Sequence, residues 1–160
     1  MIGCASVLAS FVLSLGLMGA VFSNGALEQN LFTWVSSGTW SVDFGFLVDP
    51  LSLIMVLVIS GVGSLIHIYS TGYMHDDERH NYFFAYPNLF VFFMLILVMS
   101  NNYLLLFAGW EGVGLCSYLL IGFWYTRPTA IYANMKAFLV NRVGDFGFLL
   151  GIGLVLAAGK

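Results

Sequence analysis

The amino-acid sequence predicts an all-α integral membrane protein of about five transmembrane helices, and three observations carry its membrane character. Of 160 residues, 60% are hydrophobic and only 8% are charged, too few charges to coat a water-soluble globule of this size. The apolar residues gather into five blocks, each near the ~20 residues that cross a bilayer. Turn-forming and polar residues collect between the blocks, with a few charges inside them as exceptions.

The first span, about 2–22, carries no charge, and Met1 to Leu27 lacks the Lys or Arg of a secretion signal's basic region. Ser23 to Phe46 is rich in Ser, Gly, Thr and Asn, with Trp34, Trp40 and Phe44 spaced as interface anchors. It reads as a loop with room for a short helix or strand. The second span, about 47–70, is entered through Asp49-Pro50, where Asp caps orphan N–H groups and Pro suits the first helical position. It leaves into the aqueous run Tyr73-Met-His-Asp-Asp-Glu-Arg-His80. The third span covers about 83–99, with Pro87 near its first turns, and Ser100-Asn101-Asn102 turns the chain into the fourth, 103–124. Tyr125 to Pro128 leads to the fifth, 129–158. Residues 1–160 thus form a single transmembrane domain without internal repeats. Arg79 and Arg127 share one side of the membrane and Lys160 lies opposite, so the positive-inside rule makes the 71–82 and 125–128 loops cytoplasmic.

Several functions are set aside. A net charge of −3 without clustered Lys and Arg gives no footprint for nucleic acid. Cys4 and Cys116 stand alone in apolar stretches and read as buried thiols, not as a disulfide or metal pair. His75, Asp76, Asp77, Glu78 and His80 match no metal-ligand spacing and read as an exposed polar loop. Gly61-x-Gly63 and Gly112-x-Gly114 fall inside spans and lack the strand-to-helix setting of a phosphate loop. His67, near the end of the second span, is read either as a proton-path residue or, more commonly for such positions, as a histidine hydrogen-bonded at the interface.

The charges within the spans point to chemistry. Glu111 lies in Gly109-Trp-Glu-Gly-Val-Gly-Leu-Cys-Ser-Tyr-Leu-Leu-Ile-Gly-Phe-Trp124, and a helix rise of ~1.5 Å per residue puts it within a few Å of the bilayer midplane. An acid there costs ~2.5–3.5 kcal/mol to insert, so it faces protein or water and is a functional candidate by default, with helix-to-helix glue as the bland alternative. At ~100° per residue, Ala108, Gly114, Leu115, Tyr118 and Gly122 share its side, a face small enough for close approach. The fifth span carries Lys136, Arg142 and Asp145, too many charges for a helix facing lipid. Arg142 and Asp145 are three apart on one face, where an ion pair is the simplest reading, while Lys136 points nearly opposite Asp145. If the fourth and fifth spans form a hairpin about the turn near Arg127, Arg142 comes level with Glu111, and Lys136 sits about 9 Å closer to the cytoplasm. Charged groups at two depths suit a proton path, and a salt bridge serving only packing is the alternative.

Four phrases resemble a known family: Asp49-Pro-Leu-Ser-Leu53, Phe83-Phe-Ala-Tyr86, Gly109 to Trp124, and Lys136-Ala-Phe-Leu-Val-Asn-Arg-Val-Gly-Asp-Phe-Gly147. Together they are similar to the antiporter-like subunit L of proton-translocating NADH-quinone oxidoreductase, respiratory complex I, from about Phe46 to Leu156. Relatives are the plastid-type and cyanobacterial counterparts of that subunit and the large subunit of multisubunit cation/proton antiporters, where Phe-Trp-Glu is expected in place of Gly-Trp-Glu. The resemblance implies a proton-conducting subunit in a bacterial inner membrane, ahead of a mitochondrial one, with other membrane-arm subunits and a neighbouring antiporter-like subunit as partners. It implies no cofactor or metal in this chain, since NADH, FMN, iron-sulfur clusters and quinone are used by other subunits. It assigns Glu111 to the proton path, opposite a lysine on a later, interrupted helix outside these residues, with Arg142 and Asp145 beside the path and Lys136 more distantly. Family members have roughly three times as many spans, so the chain is expected to be an N-proximal fragment of a larger antiporter-like bundle, incomplete at the C-terminus and preceded by one more hydrophobic helix. Such a fragment is not expected to pump alone. The competing classes are a stand-alone cation/proton antiporter and a structural assembly subunit.

Overall fold

The computed structural model describes residues 2–38 and 40–158; Lys160, expected on the side opposite Arg79 and Arg127, lies outside them. The elements run α1 (Ile2–Asn24), β1 (Leu27–Ser37), β2 (Trp40–Val48), α2 (Pro50–Tyr73), α3 (His80–Met99), α4 (Tyr103–Ile121) and α5 (Pro128–Ala158). All five helices are long and apolar enough to cross a membrane, and many of their large apolar side chains point outward, as Leu65, Ile68 and Val143 do. Outward-facing apolar side chains are what a lipid solvent permits.

The first loop is an antiparallel hairpin running from Leu27↔Val48 to Ser37↔Trp40. Its turn is made by Gly38 at φ 60°, a left-handed backbone that glycine adopts without a Cβ penalty. Phe32 stacks on Phe44 at 5.3 Å, and Trp34 and Phe46 meet the same ring edge-on. Because β2 runs on through Val48, the second span starts at Pro50 and not at 47. Asp49 caps it: its carboxylate accepts from the Ser52 amide at 2.7 Å and the Ser52 hydroxyl accepts from the Asp49 amide, a reciprocal box that satisfies two orphan donors.

Other boundaries also differ: α1 runs on to Asn24, two residues past the expected span, and α2 to Tyr73, three residues past it. α3 starts at His80, three residues before the expected span, so Pro87 lies within the helix and can donate nothing to the Phe83 carbonyl. α4 ends at Ile121: the Gly122 amide makes the last helical bond, to the Tyr118 carbonyl, and the Phe123 amide bonds instead to Leu120, three residues back, so that Phe123 and Trp124 join the following turn. α5 begins at Pro128, one residue early, with the proline at its first helical position.

Neighbouring helices pack in sequence order, α1 on α2, α2 on α3, α3 on α4 and α4 on α5. The α1–α2 contact carries a polar seam, where Ser14 and Ser60 hydroxyls lie 3.3 Å apart. α4 has two distinct faces. Leu105, Gly109, Gly112 and Cys116 are buried, with Gly109 against the Leu97 backbone and Gly112 against the Phe93 ring of α3. A side chain at either glycine would have nowhere to go. Seating that small-residue face on α3 turns Glu111 and its neighbours toward α5.

Both ends of the bundle are tied by polar contacts. On the hairpin side, Asn101 donates to Asn30 at 2.7 Å and Asn102 to the Asp43 carbonyl at 2.9 Å, while the Asn102 side chain caps α4 through the Leu105 amide. On the opposite side, Trp124 donates to Asp77 at 3.2 Å, and the Arg79 guanidinium lies between the Phe123 and Tyr125 rings. The 74–79 loop and the 122–127 turn therefore form one unit on one side of the bundle.

Candidate functional site

The site is built where α4 meets α5. Glu111 is the ninth residue of the nineteen in α4, the middle of the helix. Its carboxylate accepts directly from the Arg142 guanidinium of α5. Arg142 Nη1 also lies 3.6 Å from Asp145 Oδ2, one turn along the same helix. One cation is thus shared by two carboxylates from two helices, in unequal measure. Asp145 is buried, Glu111 is a quarter exposed and Arg142 about half.

Asp145 is held from its other side. Trp110, beside Glu111 in sequence, donates its indole N–H to Asp145 Oδ1 at 2.8 Å, while its ring meets Phe148 edge-on at 5.8 Å. Phe148 in turn packs on Phe107 at 5.8 Å. On the far side of the cluster the Arg142 guanidinium covers the Phe138 ring at 5.0 Å, and Phe138 packs against Tyr118. The charges therefore lie between two aromatic pairs, Phe107–Phe148 toward the hairpin and Tyr118–Phe138 toward the 122–127 turn. Aromatic walls lower the local dielectric and strengthen the electrostatic contacts between them.

A narrow cleft bounded by Gly114, Leu115 and Asn141 holds the three charged groups. A cavity of about 150 Å³ continues from it past Asp145, edged by Trp110, Ser117 and Asn141. It has enough polar edge to seat water against the carboxylate. Larger cavities open at both ends of the α4–α5 seam. One of about 580 Å³ lies under the hairpin among Asp43, Asn101, Tyr103 and Ile152. The other, about 300 Å³, lies among Arg79, Tyr82, Tyr86, Tyr118 and Asn134.

Of the residues expected at a site, Glu111, Arg142 and Asp145 come together. Lys136 does not join them: it lies exposed on α5, nearly two helical turns from Arg142 toward the turn at 122–127. His67 is elsewhere as well, buried between α2 and α3, with Nδ1 2.7 Å from the Gly63 carbonyl of its own helix and Nε2 without a hydrogen-bond partner among the described residues. It lines a separate apolar cavity with Phe83, Pro87 and Leu120. Trp110 and Asn141 were not expected from the sequence. The available signal was chemical: an indole N–H at membrane depth needs an acceptor, and Asp145 is one of the few carboxylates at that depth. Among the described residues no group of three or more His, Cys, Asp or Glu side chains is placed to hold a metal ion.

Comparison with known proteins adds a family. A family model described as NADH-ubiquinone oxidoreductase (complex I), chain 5 N-terminus, matches residues 34–84. A second, described as NADH:quinone oxidoreductase/Mrp antiporter, TM, matches residues 100–159. The chain is 52% identical over 157 residues to NADH-quinone oxidoreductase subunit L of Neisseria meningitidis, covering 98% of this chain and 23% of that protein. It is 52% identical over 161 residues to the subunit L of Mycobacterium tuberculosis, covering 98% and 25%. It is 42% identical over 156 residues to NADH-ubiquinone oxidoreductase chain 5 of Hypocrea jecorina, covering 97% and 22%. The chain spans about a quarter of the length of these relatives.

Proposed function

Because the chain belongs to the family of NADH-quinone oxidoreductase subunit L and NADH-ubiquinone oxidoreductase chain 5, we propose that it forms part of a proton-translocating membrane subunit of that complex. The electron chemistry, with its NADH, flavin, iron-sulfur clusters and quinone, belongs to other subunits. The higher identity to the bacterial relatives than to the fungal one favours a bacterial inner membrane. Its partners are other membrane-arm subunits, a neighbouring antiporter-like subunit foremost.

The observation that carries this reading is one arginine shared by two carboxylates at membrane depth. With both acids ionised the cluster has a net charge of −1, and taking up one proton makes it neutral. In a low-dielectric setting the proton and the arginine therefore compete for the same sites. When Glu111 is protonated it no longer holds Arg142, and Asp145 is the nearest alternative. When Arg142 returns, the proton is released. A charge displaced elsewhere in the complex could drive that exchange by drawing on Arg142 or Glu111, and the cavity beside Asp145 provides room for water to carry the proton.

Glu111→Gln in the complete complex is expected to lower proton pumping and coupled turnover while the complex still assembles. An unchanged ratio of protons to electrons would overturn the reading. The alternative of a cation/proton antiporter draws on the wording of the model matched by residues 100–159. Growth rescue of a salt-sensitive strain by the full-length gene without NADH-linked activity would favour it.

A further inference from the structure

Trp110 offers Asp145 a neutral hydrogen-bond donor, and the geometry shows what this does to Arg142. The indole N–H engages Oδ1 at 2.8 Å. The other oxygen, Oδ2, lies 3.6 Å from the guanidinium, beyond ordinary hydrogen-bond length. An aspartate one turn from an arginine would otherwise be free to swing both oxygens onto its fork, the strongest arrangement available to that pair. Held by the indole, Asp145 makes only a loose contact, and Arg142 makes its direct bond to Glu111 instead. The ring that carries the N–H is braced against Phe148, which in turn leans on Phe107, so the donor is aimed by packing and not by chance rotation.

We infer that Trp110 is a positioning residue for proton transfer: its indole N–H holds Asp145 away from Arg142 and thereby commits Arg142 to Glu111. This rests on the reading of Glu111 as the proton-carrying acid. Its consequence is a bias in the arginine's choice between two acids, set by a neutral group that takes no proton itself. The arginine, and not the tryptophan, answers to charge arriving from elsewhere. Without the N–H, Asp145 becomes the better partner, Glu111 loses its cation, and the exchange starts from the wrong side.

The test uses the complete complex carrying the full-length subunit, reconstituted in vesicles, with NADH-driven proton uptake measured across a range of pH. Trp110→Phe keeps an aromatic ring beside Phe148 but removes the donor. Phe148→Leu removes the ring contact but keeps the donor. Trp110→Phe is expected to lower proton flux about tenfold, the size of effect that loss of a hydrogen bond to a charged acceptor produces, and to displace the pH profile of the remaining flux. Phe148→Leu, which leaves the donor in place but less firmly aimed, is expected to displace that profile less than Trp110→Phe does. Combining Trp110→Phe with Asp145→Asn is expected to lower flux no further than the more damaging single change, since both act on one contact. Wild-type flux and profile in Trp110→Phe, equal displacement by Phe148→Leu, or fully multiplicative losses in the double variant would each overturn the inference. Glu111→Gln is run alongside: if it pumps normally, the proposed function itself fails, whereas its loss together with a normal Trp110→Phe removes only the role of the tryptophan.

Discussion

Asp77 illustrates how much a single half-buried side chain can organise. The amide of Arg79 and, after it, the indole of Trp124 donate to its carboxylate and hold its pKa below the ordinary carboxylate value. A group whose folded pKa is lowered contributes stability above its unfolded value, and that contribution is lost as pH falls through the folded one. The tie between the 74–79 loop and the 122–127 turn is therefore complete at neutral pH and is expected to loosen below about pH 4, where unperturbed carboxylates take up protons. Hydrogen exchange at the Arg79 amide, followed from pH 6 downward, checks this: protection should fall on the acid side in the native chain and be low throughout in Asp77→Ala. Protection independent of pH would contradict it. The same scale governs the membrane-depth site, where the identity of one atom, the indole N–H of Trp110, sets which oxygen of Asp145 is free.

At the scale of elements, α4 is defined by its two faces. Gly109 is seated against the backbone of Leu97, such that a Cβ would lie 2.7 Å from the Leu97 amide nitrogen, and backbone cannot step aside as a side chain can. Gly109→Ala is expected to cost about 1–3 kcal/mol through overpacking, seen as a lower midpoint of thermal unfolding in detergent. Gly72→Ala in α2, where a Cβ would meet nothing within 4 Å, should change that midpoint little. Equal midpoints for the two variants would mean that α3 and α4 are not packed this closely. The same packing bears on the site, because the face of α4 seated on α3 leaves Glu111 on the face that meets α5.

At the scale of the whole molecule, the hairpin closes one end of the bundle and the Asp77–Trp124–Arg79 contacts close the other, with the charged cluster between them. If the arginine-bearing loops are cytoplasmic, as the positive-inside rule requires, a reporter active only outside the cytoplasm should be silent when fused after Arg79 and active when inserted at Gly38. The reverse pattern would invert the direction of any proton path through the α4–α5 seam. Much of this architecture was legible in the chain. The apolar blocks outline the five helices, and Asp49-Pro50 marks the start of α2 by its capping chemistry. The hairpin was not legible as a hairpin: its cross-strand register depends on aromatic pairs such as Phe32 with Phe44 that only meet after folding. The end of α4 was hidden too, since Phe123 and Trp124 are as apolar as any helix residue yet serve the turn that holds Arg79 and Asp77.

The sequence by itself determined the membrane setting, the central depth of Glu111 and the side of α4 on which it lies. Those follow from composition, from a constant rise per residue and from a constant angle per residue, all properties internal to one segment. Only the tertiary structure decided that Arg142 bonds Glu111 while merely approaching Asp145, that Trp110 takes the other Asp145 oxygen, and that Lys136 lies outside the cluster. Contacts between helices depend on how each is rotated about its own axis and on which rotamers the packing allows. Here that rotation is set by glycines pressed against α3, on the opposite face from the chemistry they position.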